Sequence, residues 1–433
     1  MAQINKKELT LNQKCLYAFL LIILCRVLSG VPTPFVDREY LKAIMEQNSA
    51  FSILNTMSGN SLGNLSIMAL GITPFITASI VMQLMGVVIP RLDELRNGMA
   101  DEREKLEKIT IILGCALSFA QGIGMGVGFG RRGMFTSDKW YVLGAVALIW
   151  MAGTLFEALI GKFISDKLIG NGVSMILLAN ILSSYPSDMY ALFSTITVGK
   201  KIAVAVTLSA VAVLGIVFMF AFTVYMEGCE KRIPVMYTQK VGGYNSPKIM
   251  NYIPIKLCPG SVVPVIFTAS IFSLPGMIAL FTGKTGMNWL HFFDTSCWFN
   301  TSYAWYYSIG ALVYVLLIFG FSYYYVNIEI NPIQTSMNIK KAGGLIPGVK
   351  PGRNTSEFIR QQMKYTIFIG AIALSFIAIV PIVLGGLFSI PRVSFLGTSI
   401  IITCGVILET RKAILAESKG KIKKRKRGGM WHG

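Results

Sequence analysis

Long apolar runs alternate with short charged segments along this chain, and the apolar runs set its architecture. A helix crosses a bilayer in about 20 mostly apolar residues. Windows of that kind fall at 15–34, 64–89, 108–128, 140–161, 169–193, 202–226, 260–281, 303–325, 364–386 and 393–410, which predicts ten spanning helices. Three places interrupt the pattern. They are a Gly/Ser/Asn-rich stretch at 53–65 before the span that carries Pro74, then Asn171 and Gly172 opening the fifth span, then Pro259 and Pro264 heading the seventh. Irregular backbone at membrane depth persists only where protein or a water-lined cavity satisfies it. Residues 53–65 are therefore expected to form a small re-entrant element inside the bundle.

Composition agrees with bilayer as the solvent. Of 433 residues, 53% are hydrophobic and only 14% charged, against about a quarter charged in soluble chains. The expected fold class is an all-α polytopic membrane protein. With ten spans both termini face one side. If that side is cytoplasmic, cytoplasmic segments carry 30 Lys and Arg against 9 opposite, and Arg26 inside the first span completes the 40. The excess of positive charge selects this orientation. The start MAQINKKELTLNQK runs into a span with no small-residue cleavage site, so no signal peptide is expected. Two cytoplasmic loops, 227–259 and 327–363, are longer than ordinary connections and are expected to bind something.

Candidate chemistry is sparse. Seven scattered cysteines without a CxxC, and two histidines, give neither a metal site nor a disulfide framework. No Ser-His-Asp set or paired carboxylates lie within spans, so no catalytic residues, no cofactor and no enzyme are expected. GIGMGVGFGRRG (122–133) looks like a phosphate loop, but it ends an apolar span on the outer side, where close helix packing is the better reading. KGKIKKRKRGG (419–429) reads as a disordered basic tail against anionic lipid, with a ribosomal-RNA contact through tail and basic loops as the second reading. Intramembrane charge is limited to Arg26 and Glu157. A structural role is favoured for Arg26, which lies near a span end and can snorkel or pair with helix carbonyls; an ion relay needs several carboxylates at depth, which weakens a transporter reading.

Ordered motifs now accumulate. GITPFITASIVMQL (71–84), IGNGVSMI (169–176), EKRIPVMY (230–237), IPIKLCPGSVVPVIF (253–267), NIKKAGGLIPGVKPG (338–352) and GTSIII (397–402) resemble, in order and spacing, the SecY family of protein-translocation channels. The resemblance covers nearly the whole chain. It implies two five-helix halves, 15–195 and 196–410, related by inverted pseudo-symmetry around an hourglass pore, with an N-terminal segment 1–14 and a basic tail 411–433 in the cytoplasm. It implies a pore ring of Ile72, Ile76, Val173, Leu177, Ile266 and Ile402. It implies a plug around 53–65, with Asn55, Met57, Gly59, Asn60, Ser61 and Gly63. Weak helix propensity at the plug's Gly, Ser and Asn residues suits an element displaced at low cost. Spans two, three, seven and eight would form a lateral gate, with Gln83 and Thr268 as its polar candidates.

The resemblance also implies partners: SecE-like and SecG-like small membrane subunits, a SecA-type motor ATPase, the ribosome, and signal-bearing preproteins. The location implied is the bacterial cytoplasmic membrane, with both termini cytoplasmic. Lys231, Arg232, Lys340, Lys341, Lys350 and Arg353 would dock the motor or ribosome. Three departures stand out. Lys350 and Lys231 occupy positions where the family usually carries Arg. ADEREKLEK replaces a basic G-R-R-K pattern, and Gly161-Lys162-Phe163 replaces G-E-Q. A divergent accessory channel of the same type, a secondary transporter of small solutes, and a non-conducting scaffold are the competing readings. The transporter would need paired ionisable groups at mid-membrane, and the scaffold would need no plug.

Overall fold

The computed structural model describes residues 10–36, 55, 58–98, 100–130, 140–197, 201–237, 250–258, 262–282, 287–295, 297–300, 303–329, 331–388 and 396–428. Its helices are α1 (Leu11–Leu28), α2 (Thr73–Val88), α3 (Pro90–Asn97), α4 (Ala100–Gly130), α5 (Trp140–Lys167), α6 (Gly172–Thr197), α7 (Ile202–Gly228), α8 (Val263–Thr282), α9 (Ile309–Glu329), α10 (Pro332–Lys341), α11 (Arg353–Leu387) and α12 (Leu396–Gly428). Strands β1 (Glu230–Tyr237), β2 (Met250–Lys256) and β3 (Gly344–Leu345) form an antiparallel sheet in the order β2-β1-β3.

The all-α expectation is thereby corrected to mostly helical with one small sheet. The cause is legible locally: in EKRIPVMY, Ile233 and Val235 are buried while Arg232 and Pro234 are exposed, the period of two that a strand requires. Six described helices are long and apolar enough to cross a membrane, or seven if the bent pair α2–α3 counts as one span. Of the other helices over expected spans, α6 carries Asn180, Ser183, Ser184, Ser187 and Asp188 around Pro186, and α12 runs from an apolar start into a basic end.

Three boundaries also move. The second expected span starts not at 64 but at Thr73, with Pro74 in the first turn of α2, where its missing N–H costs nothing. The expected loop 327–363 is largely helical: Asn331 caps α10 by accepting from the N–H of Ile333 and Gln334, and α11 begins at Arg353. The tail expected to be disordered continues α12 as helix to Gly428. Lys14 of α1 meets Glu417 of this extension at 2.6 Å.

The chain divides into two compact units. The first comprises 1–195, 270–296 and 406–433; the second comprises 196–269 and 297–405. In the first, Leu62, Leu65, Ala69 and Leu70 pack on Met125 of α4 and on Val142, Val146 and Trp150 of α5. Small residues let α4 and α5 approach: a Cβ added at Gly122 would lie 3.1 Å from the Ala147 Cα. In the second, Ile233, Val235 and Ile255 of the sheet pack on Val326, Ile339, Ile346, Ile359, Met363 and Ile367. The sheet, α10 and the polar start of α11 thus share one apolar core.

Candidate functional site

The first unit contains the irregular element at 58–70, which forms turns rather than a helix, with most of its residues buried. Its backbone polar groups are satisfied from several directions. Thr33 N–H donates to Leu65 O at 2.8 Å and Ile67 N–H to Val31 O at 3.0 Å. Asn55 Oδ1 accepts from Gly63 N–H at 2.7 Å, while its Nδ2 donates to Asn60 Oδ1 at 2.9 Å. Ser58 Oγ accepts from Leu62 N–H, and Ser66 Oγ donates to Ser61 O. Asn60 Nδ2 reaches α6, donating to Ser187 Oγ at 3.1 Å. Trp150 Nε1 donates to Thr33 Oγ1 at 3.0 Å and so anchors the chain preceding the element to α5. Met57 lies outside the described residues.

The six aliphatic positions are placed as follows. Ile72 is the N-cap of α2 and Ile76 sits one turn on, so both occupy one face. Val173 and Leu177 hold the same i,i+4 relation in the first turns of α6. Ile266 lies in the first turn of α8 and Ile402 in the second turn of α12. Ile72, Ile76, Leu177, Ile266 and Ile402 are buried, and Val173 is half-buried against Gly161. Elsewhere this chain exposes Phe19, Leu214 and Phe218 freely. Gln83 Nε2 donates to Ser79 Oγ at 3.3 Å within α2, and Thr268 Oγ1 donates to Pro264 O at 2.9 Å within α8.

The basic candidates all belong to the second unit and separate into two groups. Lys231 Nζ donates to Gln362 Oε1 of α11 at 2.5 Å. Arg232 pairs with Glu230 at 3.1 Å and lies 4.8 Å over the Tyr252 ring. Lys340, Lys341, Lys350 and Arg353 are exposed and make no ion pair among the described residues. The backbone between them is fixed. Thr355 Oγ1 donates to Lys350 O at 3.0 Å, and Ser336 Oγ donates to Gly352 O at 2.8 Å. Gly352 holds φ 108° and ψ −128°, a region effectively reserved for glycine. The loop therefore presents cations from a pinned frame.

Two departures noted in the sequence meet in space. Lys162 of α5 pairs with Glu107 of α4 at 2.7 Å, both partly exposed. The charge on each helix is thus answered by the other. A pair this exposed contributes about 0–1 kcal/mol, enough for register rather than stability. Sequence reasoning missed Asn180 and Ser183, whose side-chain oxygens accept from Arg26. Their only signal is an unusual density of polar residues in the fifth apolar run. Among the described residues, no group of three or more His, Cys, Asp or Glu could hold a metal.

Buried aliphatic residues at these helix starts, in a multi-span helical protein, suit a sealed passage rather than a solute-coordinating site. The class is a multi-pass membrane channel. The SecY family model matches residues 66–411. The protein translocase subunit SecY of Halalkalibacterium halodurans is 33% identical over 94% of this chain and 94% of its own length. A solved structure concerned with how the plug domain of SecY stabilises the closed state and maintains a membrane seal superposes with TM-score 0.63 at 17% identity, covering 96% of this chain and 95% of that one. Sec61 in the canine ribosome-channel complex from the endoplasmic reticulum gives TM-score 0.61 at 16% identity over 96% and 95%. The chain belongs to the SecY family: it is the protein-conducting channel subunit of a translocase, a pore and not an enzyme.

Proposed function

We propose that this subunit forms a ten-span channel in a bacterial cytoplasmic membrane, with both termini cytoplasmic and two pseudo-symmetric halves. Unfolded secretory polypeptides would pass through it, and apolar signal or membrane segments would leave sideways into lipid. The burial of five of the six aliphatic positions, in a chain that exposes large apolar residues elsewhere, carries this reading. An aliphatic constriction excludes water and ions by dewetting and offers a sliding chain no hydrogen bond to hold it. The segment around 53–65, which runs into the irregular element at 58–70, serves as the plug. Gln83 and Thr268 lie on the gate helices, each hydrogen-bonded within its own helix.

The second unit's polar platform receives the motor ATPase or the ribosome through Lys340, Lys341, Lys350 and Arg353. Lys231 and Arg232, exposed on β1, belong to the same docking surface. The ribosome-bound relative supports this assignment by fold alone. Small SecE-like and SecG-like subunits complete the assembly. The test is ion leak in proteoliposomes: Ile76→Asn with Ile266→Asn, and separately deletion of 55–63, raise idle conductance severalfold. Unchanged conductance in both would refute the ring and plug assignments.

A further inference from the structure

Arg26 and Glu157 are charged residues inside the spans that the channel reading does not use. Arg26 stands in the last turn of α1. Its Nη1 donates to Asn180 Oδ1 at 3.1 Å, and its Nη2 donates to Gly59 O at 2.9 Å and to Ser183 Oγ at 2.5 Å. Asn180 and Ser183 lie three residues apart on α6 and so share a face. One guanidinium therefore bridges the irregular element to α6. A second bond, Asn60 to Ser187, joins the same two segments one turn further along.

Gly59 shows that the space is built for this contact. With φ 67°, a Cβ there would meet the Arg26 guanidinium and lie 2.8 Å from the backbone of Asn180. The guanidinium occupies the room a side chain would take. A lone cation at this depth is costly unless it is paired or hydrogen-bonded. Glu157 is buried in α5, with Oε2 lacking a hydrogen bond among the described residues. The oxygens of Gly59, Asn180 and Ser183 take the donors of Arg26.

We propose that Arg26 is the positioning residue of the seal, clasping Gly59 to Asn180 and Ser183 and so holding the 58–70 element against α6 until a translocating chain displaces it. This rests on the reading of that element as the plug. Lys would keep the charge but lose the planar fork that serves three acceptors together. Gln would lose the charge as well.

The test uses the full chain in proteoliposomes with a reporter pair, Asn60→Cys and Ser187→Cys, whose oxidative cross-linking reads the closed position by mass spectrometry. Arg26→Gln should slow cross-linking about tenfold and raise ion leak, Arg26→Lys should give an intermediate effect, and Ser183→Ala a smaller one. If Arg26→Gln inserts at normal level yet cross-links at the parental rate, the clasp is wrong. If it does not insert, Ser183→Ala decides, and unchanged cross-linking there overturns the proposal. If cross-linking falls while leak stays at the parental level, and the cross-linked protein still translocates, the clasp stands and the plug reading fails.

Discussion

Replacing Gly352 by Ala tests whether the docking platform depends on a fixed backbone. The native φ of 108° with ψ −128° is closed to residues with a Cβ, and forcing or leaving it costs about 1–3 kcal/mol. A shift to an allowed conformation also moves the carbonyl that accepts from Ser336 and strains the turn closed by Thr355 on Lys350 O. Each lost hydrogen bond contributes about 0.5–1.5 kcal/mol, so local opening becomes easier by about 2–6 kcal/mol. The apolar core beneath, with Ile339, Ile346 and Ile359, is untouched, so the helices should persist. The assay is hydrogen exchange of residues 343–352 in the reconstituted protein. Two kcal/mol corresponds to roughly 30-fold faster exchange, which should stay confined to the loop and its caps. Motor-stimulated translocation should fall in parallel. Unchanged exchange would refute the claim that Gly352 fixes the loop, and an equal effect from Ser336→Ala would show that the hydrogen bond, not the dihedral, was responsible.

Other consequences follow from the same frame. Lys350→Glu, which reverses an exposed cation without touching the Lys350 carbonyl that Thr355 holds, should cripple motor-driven translocation while the protein still inserts; normal preprotein transport in this variant would remove Lys350 from the docking surface. Cys258 lies outside the spans, and burial, reinforced by the charges of Glu227 and Cys229, pushes its thiol up to about 12. At pH 7.5 almost none is thiolate, so maleimide should label Cys258 only after unfolding in detergent, as read by peptide mass spectrometry. Native labelling at the rate of a free thiol would contradict its placement.

Six of the ten expected spans, or seven with the bent pair α2–α3, were legible because twenty apolar residues in a row survive any error in their boundaries. What escaped the sequence has physical reasons. The polar start of α11 carries Ile359, Met363 and Ile367 at helical spacing, a period that a hydropathy window averages away. The strands alternate correctly but are short and lie between long spans, so they read as loop. Arg26 was recognisable as an anomaly, yet its partners lie 33 residues away at 59 and 154 and 157 residues away at 180 and 183, and only tertiary packing brings them together. The ion pair of Lys162 with Glu107 was visible as two separate oddities, each looking like a defect until the other was beside it.

Site-specific photo-crosslinking to an arrested preprotein tests the central claim most directly. A photoreactive side chain is placed in turn at Ile72, Leu177, Ile266 and Ile402, and as controls at Leu214 and Phe218 on the exposed face of α7. A polypeptide passing through an aliphatic ring should give adducts at all four positions and none at the controls. Adducts at the controls with none at the four would contradict it.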